Sequence, residues 1–120
     1  MTKNKEIGAK GEQDAAEYLK NKGYLILATN ISNKYGEIDI IAEYNKIITF
    51  VEVKSLTMNS TYSPEDHFDK RKRLALRRTI NYIIEKNIFK RDSNEIRFDL
   101  ITLTYNDTNC IINHYENVEL

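Results

Sequence analysis

The chain has 120 residues, 41% hydrophobic and 30% charged, with 18 basic and 18 acidic side chains and a formal net charge of zero. That size and balance fit a single folded domain over residues 1–120, exclude an extended disordered chain, and argue against indiscriminate coating of DNA. A lone cysteine, Cys110, excludes an internal disulfide framework, and no run approaches the roughly 20 apolar residues that span a bilayer. Met1 to Glu6 is polar and has no apolar signal core, so the expected location is the cytoplasm, with no membrane partner.

Along the chain, Lys5 to Lys22 reads as a helix: Ile7, Gly8, Gly11, Ala15, Ala16, Tyr18 and Leu19 recur near helical spacing, and Gly23 is a stop signal. Gly8 and Gly11 are costly inside a helix, which points to close approach of another chain segment. Three strands follow, Tyr24–Asn30, Glu37–Glu43 and Ile47–Ser55, with a polar loop at Ser32–Gly36 and a turn at Tyr44–Lys46. After a loop through Asn59–Pro64, a second helix is expected over about His67–Lys86. Its apolar stripe is Leu76, Thr79, Ile80, Ile83 and Ile84. Leu74 falls on the opposite side and is a candidate subunit contact. Ile96–Thr104 alternates as a strand, with Ile96, Phe98 and Leu100 on one face, and Cys110–Tyr115 reads as the last strand. The order α-β-β-β-α-β-β implies a mixed α/β (α+β) domain: a three-stranded meander extended by the strand after the crossover helix.

Charge is unevenly spread. Between His67 and Arg91 nine basic residues face only Asp69 and Glu85, a net of +7, and the rest of the chain carries −7. This suits either a solvated arginine-rich helix or a phosphate-contacting surface beside an acidic site.

The chemistry concentrates in two of the strands. Asp39 lies in the run Glu37–Ala42, and Glu52 and Lys54 lie in the run Ile47–Lys54. Side chains alternate along a strand, so Glu52 and Lys54 share one face and Val51 and Val53 the other. Paired as a hairpin, the strands bring the acids together. Spacing alone leaves two readings. One is a cross-strand salt bridge, Lys54 pairing with Asp39 or Glu52. The other is a divalent-cation site: magnesium takes one or two carboxylates and keeps waters, so Asp39 and Glu52 suffice, with the Val53 carbonyl as a further donor. Lys54 then orients or deprotonates a water, or stabilises charge on a phosphate.

Asp39 with Glu52-Val53-Lys54 resembles the PD-(D/E)xK nuclease motif, and almost the whole chain resembles the YraN-like bacterial family of that superfamily. The matching pieces are Gly8–Glu12 with Ala15 and Tyr18-Leu19, then Lys22-Gly23-Tyr24, Asn30, Gly36–Ile41, Phe50–Lys54, Lys70 with Leu74, and Arg97-Phe98-Asp99. The resemblance implies a restriction-endonuclease-like fold similar to Holliday-junction resolvases. It also implies magnesium- or manganese-dependent hydrolysis of DNA phosphodiesters, with branched or structured DNA as a candidate substrate, and a homodimer as a candidate assembly. It gives Glu12 of the first helix a place at the metal with Asp39 and Glu52, leaves Glu37 without a defined role, and puts Lys70 on phosphate. The chain departs from the motif at Ile38, which stands in place of its proline in a common variation, and at Leu56, where many relatives carry a basic residue.

In the second helix, Lys72 and Arg73 lie near the apolar side, within reach of the site edge, and Arg71, Arg77 and Arg78 face solvent or nucleic-acid backbone. His67 and His114 lack zinc-type neighbours and read as surface or turn residues. Cys110 reads as a buried, inert thiol. Tyr62 is a candidate for stacking on a base. The alternative to an enzyme is a non-catalytic nucleic-acid-binding or scaffold protein on a nuclease fold. A third class is an interaction module that does not touch nucleic acid.

Overall fold

The computed structural model describes residues 3–58, 68–86 and 95–120. Helix α1 spans Lys3–Asn21, strands β1, β2 and β3 span Leu25–Asn33, Gly36–Tyr44 and Ile47–Thr57, helix α2 spans Lys70–Lys86, and strands β4 and β5 span Glu95–Tyr105 and Cys110–Tyr115. The expected element order is the observed one. His67 and Tyr62 lie outside the described residues.

The sheet order is β1-β2-β3-β4-β5. Strands β1 to β3 form an antiparallel meander, β4 pairs parallel to β3 after α2, and β5 returns antiparallel to β4. The β2–β3 turn is Asn45-Lys46, with φ of 50° and 65°. Two left-handed residues give this tight turn the twist that matches its strands. Strand β1 runs past the expected Asn30 because Ser32 and Asn33 pair with Glu37 and Gly36. Their polar side chains read as a loop, yet ladder pairing uses only backbone groups.

Each sheet face carries its own core. Ile38, Ile41, Ile48, Phe50, Phe98 and Leu100 pack under Leu76, Ile80 and Ile83 of α2. Ala15 and Leu19 of α1 pack with Ile40, Ala42, Val51, Ile101 and Leu103 on the other face. Ile84 is exposed, because it lies about 100° around the helix from Ile83. Ile96 is exposed as well, at the start of β4.

Helix α1 ends in a Schellman motif. The Gly23 N–H donates to the Lys20 carbonyl at 3.0 Å and the Tyr24 N–H to the Leu19 carbonyl at 3.0 Å, with Gly23 at φ 98°. Gly11 is the close-approach glycine: a Cβ there would lie 1.8 Å from Ser55 Oγ. Gly8 meets nothing within 4 Å, so only one of the two helix glycines serves packing. Helix α2 begins at Lys70 because Asp69 caps it, its Oδ1 accepting the Lys72 N–H at 2.8 Å.

Candidate metal and phosphate site

Asp39 occupies a break in β2. Ile38 packs toward α2 but Ile40, two residues on, packs toward α1, so the strand loses its alternation at Asp39. The pairs Thr29↔Ile40 and Ile31↔Ile38 set Asn30 opposite Asp39, and Asn30 has a left-handed φ of 52°. Pairing of β2 to β3 starts at Ile40↔Val51. Instead of a further ladder bond, Asp39 Oδ2 accepts the Val53 N–H at 2.8 Å. The carboxylate is thereby tied to the backbone between Glu52 and Lys54.

Glu52 is buried, at 9% exposure. It points toward α2, as Phe50 does, and Val51 and Val53 point toward α1, as alternation requires. Lys54, two residues on, takes the Glu52 face. From α2, Lys72 Nζ reaches Glu52 Oε1 at 3.5 Å. Lys72 sits one turn ahead of Leu76 on the stripe that continues through Thr79, Ile80 and Ile83, so its side chain rises from the core-facing side of the helix.

Glu12 approaches from α1, half-buried, and its carboxylate bonds the Asn30 side chain. Burial pushes its pKa up, and the Glu37 charge adds to that. Asp39 feels the cluster most strongly. Burial, and then the charges of Glu12, Glu52 and Glu37, raise its pKa to about 7 against the opposing Val53 hydrogen bond. The fold therefore sets three carboxylates, Glu12 of α1, Glu37 of β2 and Glu52 of β3, near enough to Asp39 for their charges to oppose its ionisation.

Hard oxygen donors carrying excess negative charge in a partly buried place are what magnesium or manganese takes, and two protein carboxylates are enough. Asp39 and Glu52 meet that requirement. Among the described residues no three His, Cys, Asp or Glu groups stand close enough to hold one ion together. Glu12, Glu52 and Glu37 act on Asp39 through their charges.

The basic residues of α2 divide between two faces. Lys70, Arg73, Leu74 and Arg77, at helical spacings of three and four, line a depression of about 320 Å3 together with Glu119 and Leu120. Lys72 alone of the four expected phosphate contacts turns inward to the acids. Arg73 is exposed and belongs to the outer face. Leu74 is 43% exposed on that same face.

Residues 11–103 match the family described as Uncharacterised protein family UPF0102. The chain belongs to the UPF0102 family. It is 42% identical over 114 residues to a UPF0102 protein of Alkaliphilus oremlandii, covering 95% of this chain and 97% of the relative. A UPF0102 protein of Persephonella marina is 38% identical over 109 residues, covering 91% and 92%. The Clostridium botulinum protein CLJ_B2665 of the same family is 42% identical over 107 residues, covering 88% and 85%. This is the YraN-like family that the motifs resemble. No helix among the described residues is long and apolar enough to cross a membrane.

The UPF0102 fold carries a second polar assembly whose role the sequence reading missed. Asp99 of β4 is fully buried. It accepts from Arg97 Nε at 2.9 Å and Nη2 at 3.0 Å, from the Asn117 N–H at 2.9 Å, and pairs with His114 Nε2 at 2.6 Å. Burial opposes its ionisation, but the bonds from His114, Asn117 and Arg97 prevail and hold its carboxyl below the usual range. Arg97 also donates to the Tyr24 hydroxyl at 2.7 Å, and His114 Nδ1 lies 3.1 Å from the Tyr18 hydroxyl. The His114 side chain is thus only 5% exposed and not that of a surface residue. Cys110 is exposed rather than buried, because it opens the edge strand β5. The alternation of β4 carried a signal: Arg97 and Asp99 share a face with Ile101 and Leu103, and charges in apolar company imply a buried pair.

Proposed function

We propose that this protein is a magnesium- or manganese-dependent endonuclease that hydrolyses DNA phosphodiester bonds, in branched or structured DNA as the resemblance to resolvases implies. The observation that carries this reading is the Asp39 carboxylate, bound by the Val53 N–H between Glu52 and Lys54 and close enough to Glu12, Glu52 and Glu37 for burial and their charges to raise its pKa to about 7. A bound cation would neutralise charge on the scissile phosphate and make water a better nucleophile. Asp39 and Glu52 hold the cation. The Val53 N–H fixes the Asp39 carboxylate, and Glu12 and Glu37 deepen the negative potential that draws the cation in. Lys54 holds the attacking water or stabilises charge on the phosphate. Lys70, Arg73 and Arg77 follow the neighbouring backbone phosphates.

The test is cleavage of linear, flapped and four-way DNA by purified wild type and Glu52→Ala. The expected result is metal-dependent cleavage by the wild type and its loss, by at least about a hundredfold, in the variant. Cleavage that survives Glu52→Ala contradicts the assignment.

One observation favours a second reading, a nucleic-acid-binding protein without catalysis: three acidic or imidazole donors do not converge among the described residues. That protein binds DNA steeply with falling salt and ignores magnesium. Two copies acting together belong to the first reading, with the exposed Leu74 as a candidate contact, and sedimentation of the wild type against Leu74→Lys tests it.

A further inference from the structure

Lys72 differs in placement from Lys70, Arg73 and Arg77. Lys70, Arg73 and Arg77 line the outer depression, whereas Lys72 leaves the helix on its core-facing side and ends 3.5 Å from the Glu52 carboxylate. Two features favour this placement. Glu52 is buried, with 11% of its side chain exposed, and a buried carboxylate is costly without opposite charge nearby. Lys72 is held at its base, since the Asp69 cap binds its N–H at 2.8 Å, but its side chain is 40% exposed. Its end is a compact ammonium on a flexible stem, a charge that can swing away without breaking a rigid bidentate fit.

Resting on the metal-site reading above, we propose that Lys72 is a resident counter-cation of Glu52 and a gate on the site. In the free protein its ammonium lies 3.5 Å from the Glu52 carboxylate, so it and an incoming divalent cation would compete for that carboxylate. Cation binding releases the ammonium. Lys72 then lies on the α2 side of the acids, between them and the Lys70–Arg73–Arg77 face, and is free to hold a phosphate of the substrate. Lys72 is a positioning residue in the first state and a phosphate contact in the second. Its removal consequently has opposite effects on the two ligands, a pattern that a purely structural ion pair does not give.

The experiment is calorimetric titration of manganese into the full chain, comparing wild type, Lys72→Met, Lys72→Arg and Glu52→Gln. It is followed by titration of a four-way DNA in calcium, at fixed salt. Lys72→Met keeps the stem and removes the charge. It is expected to bind manganese at least about threefold more tightly than wild type, because a competing charge a few ångströms away is gone. It is expected to bind DNA at least about threefold more weakly, for loss of one phosphate contact. Lys72→Arg keeps the charge and is expected to stay near wild type for manganese. Equal or weaker manganese binding by Lys72→Met overturns the inference, and if Glu52→Gln abolishes binding in the same series the metal site itself stands. Manganese binding that survives Glu52→Gln, or that is absent from every protein with DNA present, overturns both. A Lys72→Gln variant, with its circular dichroism matched to wild type, separates a folding defect from the binding effect.

Discussion

At the residue scale, Asp39 sets the chemistry of the site and a measurable pH dependence. Its ordinary carboxyl value is 3.8, and in the fold it rises to about 7. Between those values the folded protein binds more protons than the unfolded chain, so stability falls as pH rises from about 4 to 7 and then levels off. The full shift corresponds to at most about 4 kcal/mol. Asp39→Asn keeps an acceptor for the Val53 N–H and removes the charge. It is expected to be more stable than wild type at pH 8, to match it near pH 4, and to show a flatter profile in urea unfolding. A profile unchanged by the substitution contradicts the reading of Asp39. If the proposed cation binds at Asp39 it releases a proton there, and its affinity is expected to rise from pH 6 to pH 8.

At the element scale, the helices are held by particular close contacts. In α1, Gly8→Ala is expected to stabilise by about 1 kcal/mol, since alanine is the better helix former and its Cβ meets nothing. Gly11→Ala forces a Cβ onto Ser55 and is expected to destabilise by about 1–2 kcal/mol despite the same propensity gain. Thermal and urea unfolding of the two variants should move in opposite directions. For β4 and β5, Asp99→Ala leaves Arg97 and His114 without their shared partner and is expected to cost about 3–5 kcal/mol. Loss of less than about 1 kcal/mol would show that the assembly is not a structural lock.

The element order and the strand faces were legible because they follow from short-range periodicity: Glu52 opposite Val51 and Val53, and Leu76, Ile80 and Ile83 on one helical stripe. Two features, the face switch at Asp39 and the enclosure of His114, were not. The switch of faces at Asp39 depends on the distorted β1–β2 pairing at Asn30, which no period within β2 encodes. The inward reach of Lys72 was legible from its place near the apolar stripe, whereas Arg73, expected beside it, lies on the outer face. The His114 side chain is enclosed by a partner 15 residues away and another 96 residues away, so its local polar neighbours suggested a surface position instead.

At the scale of the whole molecule, the acids of α1, β2 and β3 and the basic face of α2 divide the charge of a formally neutral chain. The segment His67–Arg91 carries +7 and the remainder −7. A polyanion is therefore expected to meet the α2 face first, if the proposed DNA binding holds. Replacing both Arg73 and Arg77 with glutamine is expected to lower the salt dependence of DNA binding by close to two ions and to weaken binding alike for every sequence. Fluorescence anisotropy over a range of salt measures this.

The most direct test of the account is calorimetric titration of manganese into wild type and an Asp39→Ala/Glu52→Ala double variant, each with and without four-way DNA. The account predicts binding by the wild type, strengthened when DNA phosphate is present, and no binding by the double variant. Equal binding by the two proteins, or none by the wild type even with DNA, would contradict it.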